Sequence, residues 1–174
     1  NHRTVMTSDD VLSMPALPRS LTVIGAGIIG IEYATIFAAL GVEVILVDKR
    51  EHLLEMVDDE LVDALSYLAR DMGITLRLGE EVERLENRPD QVVVSLKSGK
   101  RFVSDMVLVS AGRQGATAVL MLDRAGIPAD DRGRITVNAN YQTIVPHIYA
   151  VGDVMGFPAL ASTSMEQGRL AACH

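Results

Sequence analysis

The sequence predicts an α/β fold: a parallel sheet with helices on its faces, plus an antiparallel β-meander. Three observations point there. Short runs of Val, Ile and Leu alternate with stretches of helical periodicity in residues 21–78. The composition is 48% hydrophobic with only 4% aromatic and no Trp, so aliphatic side chains must fill the core, as buried parallel strands require. Residues 82–103 then change rhythm to short, partly alternating strands separated by turn residues.

In chain order, residues 1–20 read as an irregular lead-in broken by Pro15 and Pro18. Residues 21–24 form an apolar strand that ends in glycine. A helix follows, with Ile29, Tyr33, Ile36, Phe37 and Leu40 recurring at three- and four-residue steps on one face. Gly41 is placed to end it in a left-handed conformation that costs glycine little. Residues 42–47 are a second apolar run, closed by Asp48, so the pattern is strand, turn, helix, strand. A second helix fits residues 58–72, with Leu61, Leu65, Leu68 and Met72 as its stripe and Asp58, Asp59 and Glu60 at its positive end. Gly73 stops it, and residues 74–78 supply a third parallel strand. Residues 82–86, 91–97 and 100–103 make the meander, with a tight hairpin at Ser98-Gly99. Residues 106–110 are a fourth parallel strand.

Beyond it, residues 117–134 read as loop with a short helix, and residues 135–137 as a short strand. Residues 147–153 read as a strand ending in Gly152-Asp153. Thr163 and Glu166 have the spacing of a capping box that opens a final helix. The domain reading is a lead-in (1–20), a nucleotide domain (21–142) and a segment of a second domain (143–174).

Bulk properties narrow the function. The formal net charge is -7 and Lys and Arg form no run, which argues against a nucleic-acid surface. Residues 21–47 are very apolar, but Glu32 and Glu43 interrupt them before the ~18 residues a membrane span needs. The first residues, NHRTVMTSDD, show no basic stretch followed by an apolar one, so no signal peptide is read there. Cys173 is the one cysteine, which rules out an internal disulfide or a cysteine metal site and fits a cytoplasmic setting. His2, His52, His147 and His174 are scattered, and no G-x-S-x-G elbow occurs. No metal site and no catalytic acid, base or nucleophile is expected.

One motif carries chemistry. Gly25-Ala26-Gly27-Ile28-Ile29-Gly30 matches G-x-G-x-x-G between a strand and a helix. Gly25 would make the tight turn, Gly27 would let a pyrophosphate approach the backbone, and Gly30 would let the helix lie close to the sheet. The helix N-terminus adds free N–H groups and a positive dipole end. Asp48, at the end of the next strand, stands where a carboxylate accepts a ribose 2′-hydroxyl. The expected ligand is a nicotinamide dinucleotide on a Rossmann-like fold. Asp48 alone points to NAD. Lys49 and Arg50 follow it and either contact a 2′-phosphate or are solvated loop charges, so NADP stays open. Glu32 either faces solvent or lies near the nicotinamide.

Three segments together, VIGAGIIGIEYA, VSAGR at residues 109–113 and IYAVGDV, resemble the pyridine nucleotide–disulfide oxidoreductase superfamily of flavoproteins. That resemblance implies an FAD/NAD(P)-binding fold in which a nicotinamide-nucleotide domain is inserted into an FAD domain. It adds Val82, Ala111, Gly112 and Arg113 to the dinucleotide candidates. It also places Gly152 and Asp153 in the FAD domain, with Asp153 on the flavin's ribityl chain. EHLL at residues 51–54, LSY at 65–67, GRQG at 112–115, GFPALAS at 156–162 and QGR at 167–169 are most similar to the soluble transhydrogenase branch. That branch passes hydride from NADPH through FAD to NAD. Two positions depart from the family's pattern: Gly115 stands where Pro is usual and Ala116 where Asn is usual.

The family's first glycine motif, any redox cysteine pair and its C-terminal dimerisation domain are not in these residues. The expectation is therefore a piece of a longer, homo-oligomeric flavoprotein, inactive by itself. Two alternatives stand beside it: the NAD domain of a dihydrolipoamide dehydrogenase-like disulfide reductase, and a nucleotide-binding module without turnover.

Overall fold

The computed structural model describes residues 4–174; His2 and the first part of the lead-in lie outside the described residues. By its internal contacts the chain divides into a unit ending at Gly112 and a unit Arg113–His174.

The first unit contains β1 (Val5–Thr7), α1 (Ser8–Val11), β2 (Ser20–Ile24), α2 (Ile28–Ala39), β3 (Glu43–Asp48), α3 (Asp59–Asp71), β4 (Thr75–Leu78), β5 (Val82–Arg88), β6 (Gln91–Leu96), β7 (Arg101–Ser104) and β8 (Met106–Val109). Five strands form a parallel sheet in the order β1-β8-β2-β3-β4. The chain runs outward from β2 through β3 to β4, then returns to β2's other side as β8. The order therefore reverses at β2, and the carboxyl ends of β2 and β8 mark the reversal point, the place where open α/β sheets bind ligands.

Strand alternation gives the sheet two apolar faces. Leu21, Val23, Val44, Leu46 and Leu108 point to one side and join Ile31, Ala34 and Phe37 of α2 and Val62 and Ala69 of α3 in a buried cluster. Val47 and Val107 point to the other side and pack on Val92, Val94 and Leu96 of β6. The meander, an antiparallel sheet ordered β5-β6-β7, thus covers the face a second helix layer would otherwise take. Gly99 turns its β6–β7 hairpin at a φ of 85°, as the Ser98-Gly99 reading requires.

One polar pair lies inside this packing. The hydroxyls of Thr22 and Ser104, both buried, hydrogen-bond at 2.5 Å between β2 and β7. Thr22→Val keeps the shape of the threonine but strips Ser104 of this partner. The expected cost is about 1–2 kcal/mol, read from the midpoint shift in urea unfolding.

The structure corrects several details. The lead-in is not irregular: Val5, Met6 and Thr7 pair with Val107, Leu108 and Val109, so it supplies an edge strand. The inward face of α2 is Gly30, Ile31, Ala34 and Phe37; of the expected stripe Phe37 is buried and Tyr33 packs on the core, but Ile36 and Leu40 are exposed. This helix is apolar all round, so periodicity could not choose a face. The small residues Gly30 and Ala34 choose it, because they let the helix lie close to the sheet. In α3 the buried face is Val62, Ser66 and Ala69, with Leu65 packed beside it, while Leu61 at 63% and Leu68 at 55% stay exposed. The Ser66 hydroxyl is satisfied by the Val62 carbonyl at 2.8 Å. The ends of α3 are as expected: the Asp58 side chain accepts from the Glu60 N–H at 3.0 Å, and Gly73 follows at a φ of 85°.

The second unit has little regular structure before α4 (Ala161–Cys173). Ile127, Ile135 and Ala150 centre its core. The strands expected at residues 135–137 and 147–153 reduce to isolated bridges, Ala129 with Ile135 and Gln142 with Tyr149. Single-turn 3-10 helices occupy Leu122–Ala125 and Gly152–Met155. A strand needs a ladder partner along its length, and the described residues of this unit provide one residue pair at a time. The capping box is also corrected. α4 begins after Leu160, ahead of Thr163, and Glu166 instead forms a two-bond ion pair with Arg169 at 2.6 and 2.9 Å.

Candidate dinucleotide site

The glycine turn sits at the sheet's reversal point. Gly25 N–H donates to the Val47 carbonyl at 2.8 Å, and Ser110 N–H donates to the Ile24 carbonyl at 2.8 Å, which ties the ends of β2, β3 and β8 together. The Ser110 hydroxyl donates to the carbonyls of Ile24 and Gly25, each at 3.0 Å.

Each glycine has its own surroundings. Gly25 has a φ of 108°, and a Cβ there would stand 2.7 Å from the Ser110 carbonyl oxygen. A Cβ on Gly30 would fall 1.7 Å from the Gly25 carbonyl oxygen, inside its van der Waals surface. A Cβ on Gly27 would meet nothing closer than Arg50 Nη2 at 4.0 Å. Two glycines are thus required by packing, while the middle one borders open space. Gly27 is also the N-cap of α2, and no side chain caps that helix. The first-turn N–H groups of Ile28, Ile29 and Gly30 have no intrahelical acceptor and carry the positive end of the dipole. An open glycine at an uncapped helix start fits a dinucleotide's pyrophosphate.

Asp48 ends β3 beside this turn and is only 7% exposed. Its Oδ2 accepts the Ala26 N–H at 2.6 Å and Arg50 Nη2–H at 2.6 Å. Its Oδ1 accepts the Arg50 backbone N–H at 2.8 Å and Arg50 Nε–H at 3.0 Å. Burial by itself pushes the carboxyl up. The Arg50 side-chain bonds, then the N–H groups of Arg50 and Ala26, outweigh it and hold the pKa at about 2. Asp48 is therefore a carboxylate whose acceptors are already engaged, mostly by the residue two places on.

The remaining candidates are placed as follows. Ala26 is buried in the turn, Ile28 is exposed and Ile29 half-buried on the first turn of α2. The Glu32 side chain is exposed, and so is Lys49. Val82 opens β5 and packs on the meander side of the sheet. Ala111 and Gly112 follow β8 and are exposed, with Gly112 at a φ of 112°.

In the second unit Arg113 and Asp153 are exposed. Gly152, at a φ of 79°, donates its N–H to Oε1 of Gln167 at 2.7 Å, and Gln167 is buried at 7% exposure. This bond pins the Gly152 turn to α4 and leaves the Asp153 carboxylate exposed. The two departures are also local to this unit. A Cβ on Gly115 would stand 2.1 Å from the Gly133 carbonyl oxygen, and the Gly115 N–H donates to Arg132 at 2.7 Å. Proline could satisfy neither condition, so Gly115 is matched to Gly133. Ala116 is exposed.

Two contributors had not been singled out as site residues. Ser110 locks the glycine turn from β8, and Gln167 locks the Gly152 turn from α4. Among the described residues no group of three or more His, Cys, Asp or Glu could hold a metal ion, and no helix is long and apolar enough to cross a membrane.

Comparison with known proteins places the chain among flavoprotein oxidoreductases. The soluble pyridine nucleotide transhydrogenase of Mycobacterium tuberculosis (strain ATCC 25177 / H37Ra) is 53% identical over 170 residues, covering 98% of this chain and 36% of the relative. The enzyme of that name from Colwellia psychrerythraea is 49% identical over 172 residues, covering 99% of this chain and 37% of the relative. The chain thus spans little more than a third of the length of these relatives.

Among solved structures, the HOCl-induced flavoprotein disulfide reductase RclA from Escherichia coli superposes with a TM-score of 0.88 at 31% identity, over 97% of this chain and 39% of that one. LpdA from Mycobacterium tuberculosis gives 0.88 at 29% identity, over 95% of this chain and 36% of that one. The family model described as pyridine nucleotide-disulphide oxidoreductase matches residues 1–168. With the reversal of strand order, the three-glycine turn and a match that spans nearly all of its residues, the chain belongs to the pyridine nucleotide-disulphide oxidoreductase family.

Proposed function

We propose that this chain is the nicotinamide-nucleotide-binding part of an FAD-dependent oxidoreductase of the soluble transhydrogenase kind. The observation that carries the reading is the open Gly27 at the uncapped start of α2, flanked by two glycines that packing requires. The 53% identity to a soluble transhydrogenase supports that branch.

In this reading the first-turn N–H groups of α2 bind the pyrophosphate, and Asp48, Lys49 and Arg50 meet the adenosine ribose. Val82, Ala111 and Gly112 complete the dinucleotide site in the first unit. Residues 21–142 are the nucleotide domain. Residues 143–174 return to the flavin domain, where Gly152 shapes the turn that presents Asp153 to the ribityl chain. A bound flavin supplies hydride transfer, from NADPH to NAD in the transhydrogenase reaction. The chain's own residues bind and orient, and none of them acts as acid, base or nucleophile. The complete protein is a cytoplasmic homo-oligomer in this reading and acts on neither nucleic acid nor membrane.

The likeness to the flavoprotein disulfide reductase RclA favours a second reading, the NAD domain of a disulfide reductase. A Cys-x4-Cys pair in the remainder of the protein decides for it; the absence of one in the complete sequence decides for the transhydrogenase. The test common to both is titration of the 174-residue chain with NADH and NADPH, followed by calorimetry. Saturable one-to-one binding of at least one is expected, and binding of neither removes the reading.

A further inference from the structure

We infer that Arg50, held by Asp48, determines specificity at the adenosine-ribose subsite, and that this subsite takes the 2′-phosphorylated dinucleotide NADP(H) in preference to NAD(H). This rests on reading residues 25–30 as a dinucleotide turn, and reverses what Asp48 says by itself.

The reason is a count of donors and acceptors. A carboxylate offers about four acceptor sites. Asp48 already receives four hydrogen bonds: from Ala26 N–H, Arg50 N–H, Arg50 Nε–H and Arg50 Nη2–H. A ribose 2′-hydroxyl gains Asp48 as acceptor only by displacing a charge-assisted bond from Arg50. The guanidinium is in the opposite position. Of its roughly five N–H donors, the pair with Asp48 uses two, so the others remain for a phosphate.

Charge points the same way. An unpaired carboxylate repels a 2′-phosphate, but here Arg50 lies 2.6 Å from Asp48 and neutralises it. Exposed Lys49 adds a second cation next to the pair. The other acid acting on Arg50, Glu55, is exposed and screened by water. Location completes the argument. Arg50 Nη2 is the nearest non-neighbouring atom to the space beside Gly27, so the guanidinium borders the same opening as the pyrophosphate position. Two-point contact by a planar guanidinium is the geometry in which Arg recognises phosphate.

The test uses the 174-residue chain, as wild type, Arg50→Ala and Arg50→Lys, titrated with NADPH and NADH at one fixed ionic strength. Wild type is expected to bind NADPH roughly tenfold or more tighter than NADH. Arg50→Ala should weaken NADPH roughly tenfold or more while leaving NADH as tight or tighter, because Asp48 is then free to accept the hydroxyl. Arg50→Lys should fall between, since an ammonium cannot hold the carboxylate at two points. A second arm needs no variant: 2′,5′-ADP should displace NADPH from wild type roughly tenfold better than 5′-AMP does. Tighter NADH than NADPH in wild type, an equal loss of both in Arg50→Ala, or equal displacement by the two adenosine phosphates overturns the inference and leaves the dinucleotide turn standing. Binding of neither dinucleotide to wild type overturns the turn itself.

Discussion

Gly30→Ala should lower the melting temperature by about 10 °C, while Gly27→Ala leaves it within about 2 °C and weakens nucleotide binding instead. The first effect follows from a collision that cannot relax cheaply. A methyl on Gly30 would overlap the Gly25 carbonyl oxygen at 1.7 Å and crowd Ser110 Oγ at 2.7 Å. That carbonyl is held by the Ser110 hydroxyl, and the turn is pinned again by Gly25 N–H on Val47 and Ala26 N–H on Asp48. The available response is for α2 to lift from the sheet, which pulls Ile31, Ala34 and Phe37 out of the core. Overpacking of this kind costs about 3 kcal/mol or more, and each kcal/mol moves the melting point by about 2–4 °C at this chain length.

Gly27 has a φ of -80° and a ψ of -177°, which any residue adopts, and its Cβ meets no close atom. An alanine there leaves the fold alone but fills the space a pyrophosphate would use. Calorimetry with NADPH and NADH should show both weakened about tenfold or more. Undiminished binding by Gly27→Ala would show that ligands do not approach this glycine.

What the sequence made legible is the part built from neighbours in the chain. β2, the glycine turn, α2, β3 and Asp48 follow one another directly, and their apolar runs, periodicity and terminal glycines are local signals. The meander was legible for the same reason, since Ser98-Gly99 permits one hairpin. β1 was not, because its three residues gain their meaning from Val107, Leu108 and Val109 on a strand distant in the chain. The buried faces of α2 and α3 were misread because large side chains were given more weight than small ones. Close approach to a sheet favours Gly30, Ala34, Ser66 and Ala69 over the leucines beside them. The Asp48–Arg50 pair carried a signal that went unused. Opposite charges two residues apart, where the strand ends and the chain bends, are close enough to pair. Taken singly, one suggested a ribose acceptor and the other a solvated charge; as a pair they form one neutral group with spare donors.

The same pair sets the second large effect, an acid-dependent loss of stability that Asp48→Asn should abolish. Burial raises the Asp48 carboxyl, but the Arg50 side chain and the Arg50 and Ala26 N–H groups bring it down to about 2, against an ordinary value of 3.8. A carboxyl lower in the folded chain than in the unfolded one stabilises the fold fully at pH above the unfolded value. That contribution declines as pH falls from about 4 and is gone below about 2. Its size is about 1–2 kcal/mol once solvent screening is allowed for.

At pH 7, Asp48→Asn keeps the shape but leaves the half-buried Arg50 guanidinium without its counter-charge and, because each oxygen accepts two bonds, two N–H donors without an acceptor. The expected cost is about 2–3 kcal/mol. Urea unfolding of both proteins at steps between pH 7 and pH 2 should show this difference intact at pH 5 and smaller by about 1–2 kcal/mol near pH 2. The other acidic groups titrate alike in the two proteins, so the shrinking gap isolates Asp48. A gap that stays constant to pH 2 would mean that packing of the side chain, rather than its charge on Arg50, holds the end of β3 against the glycine turn.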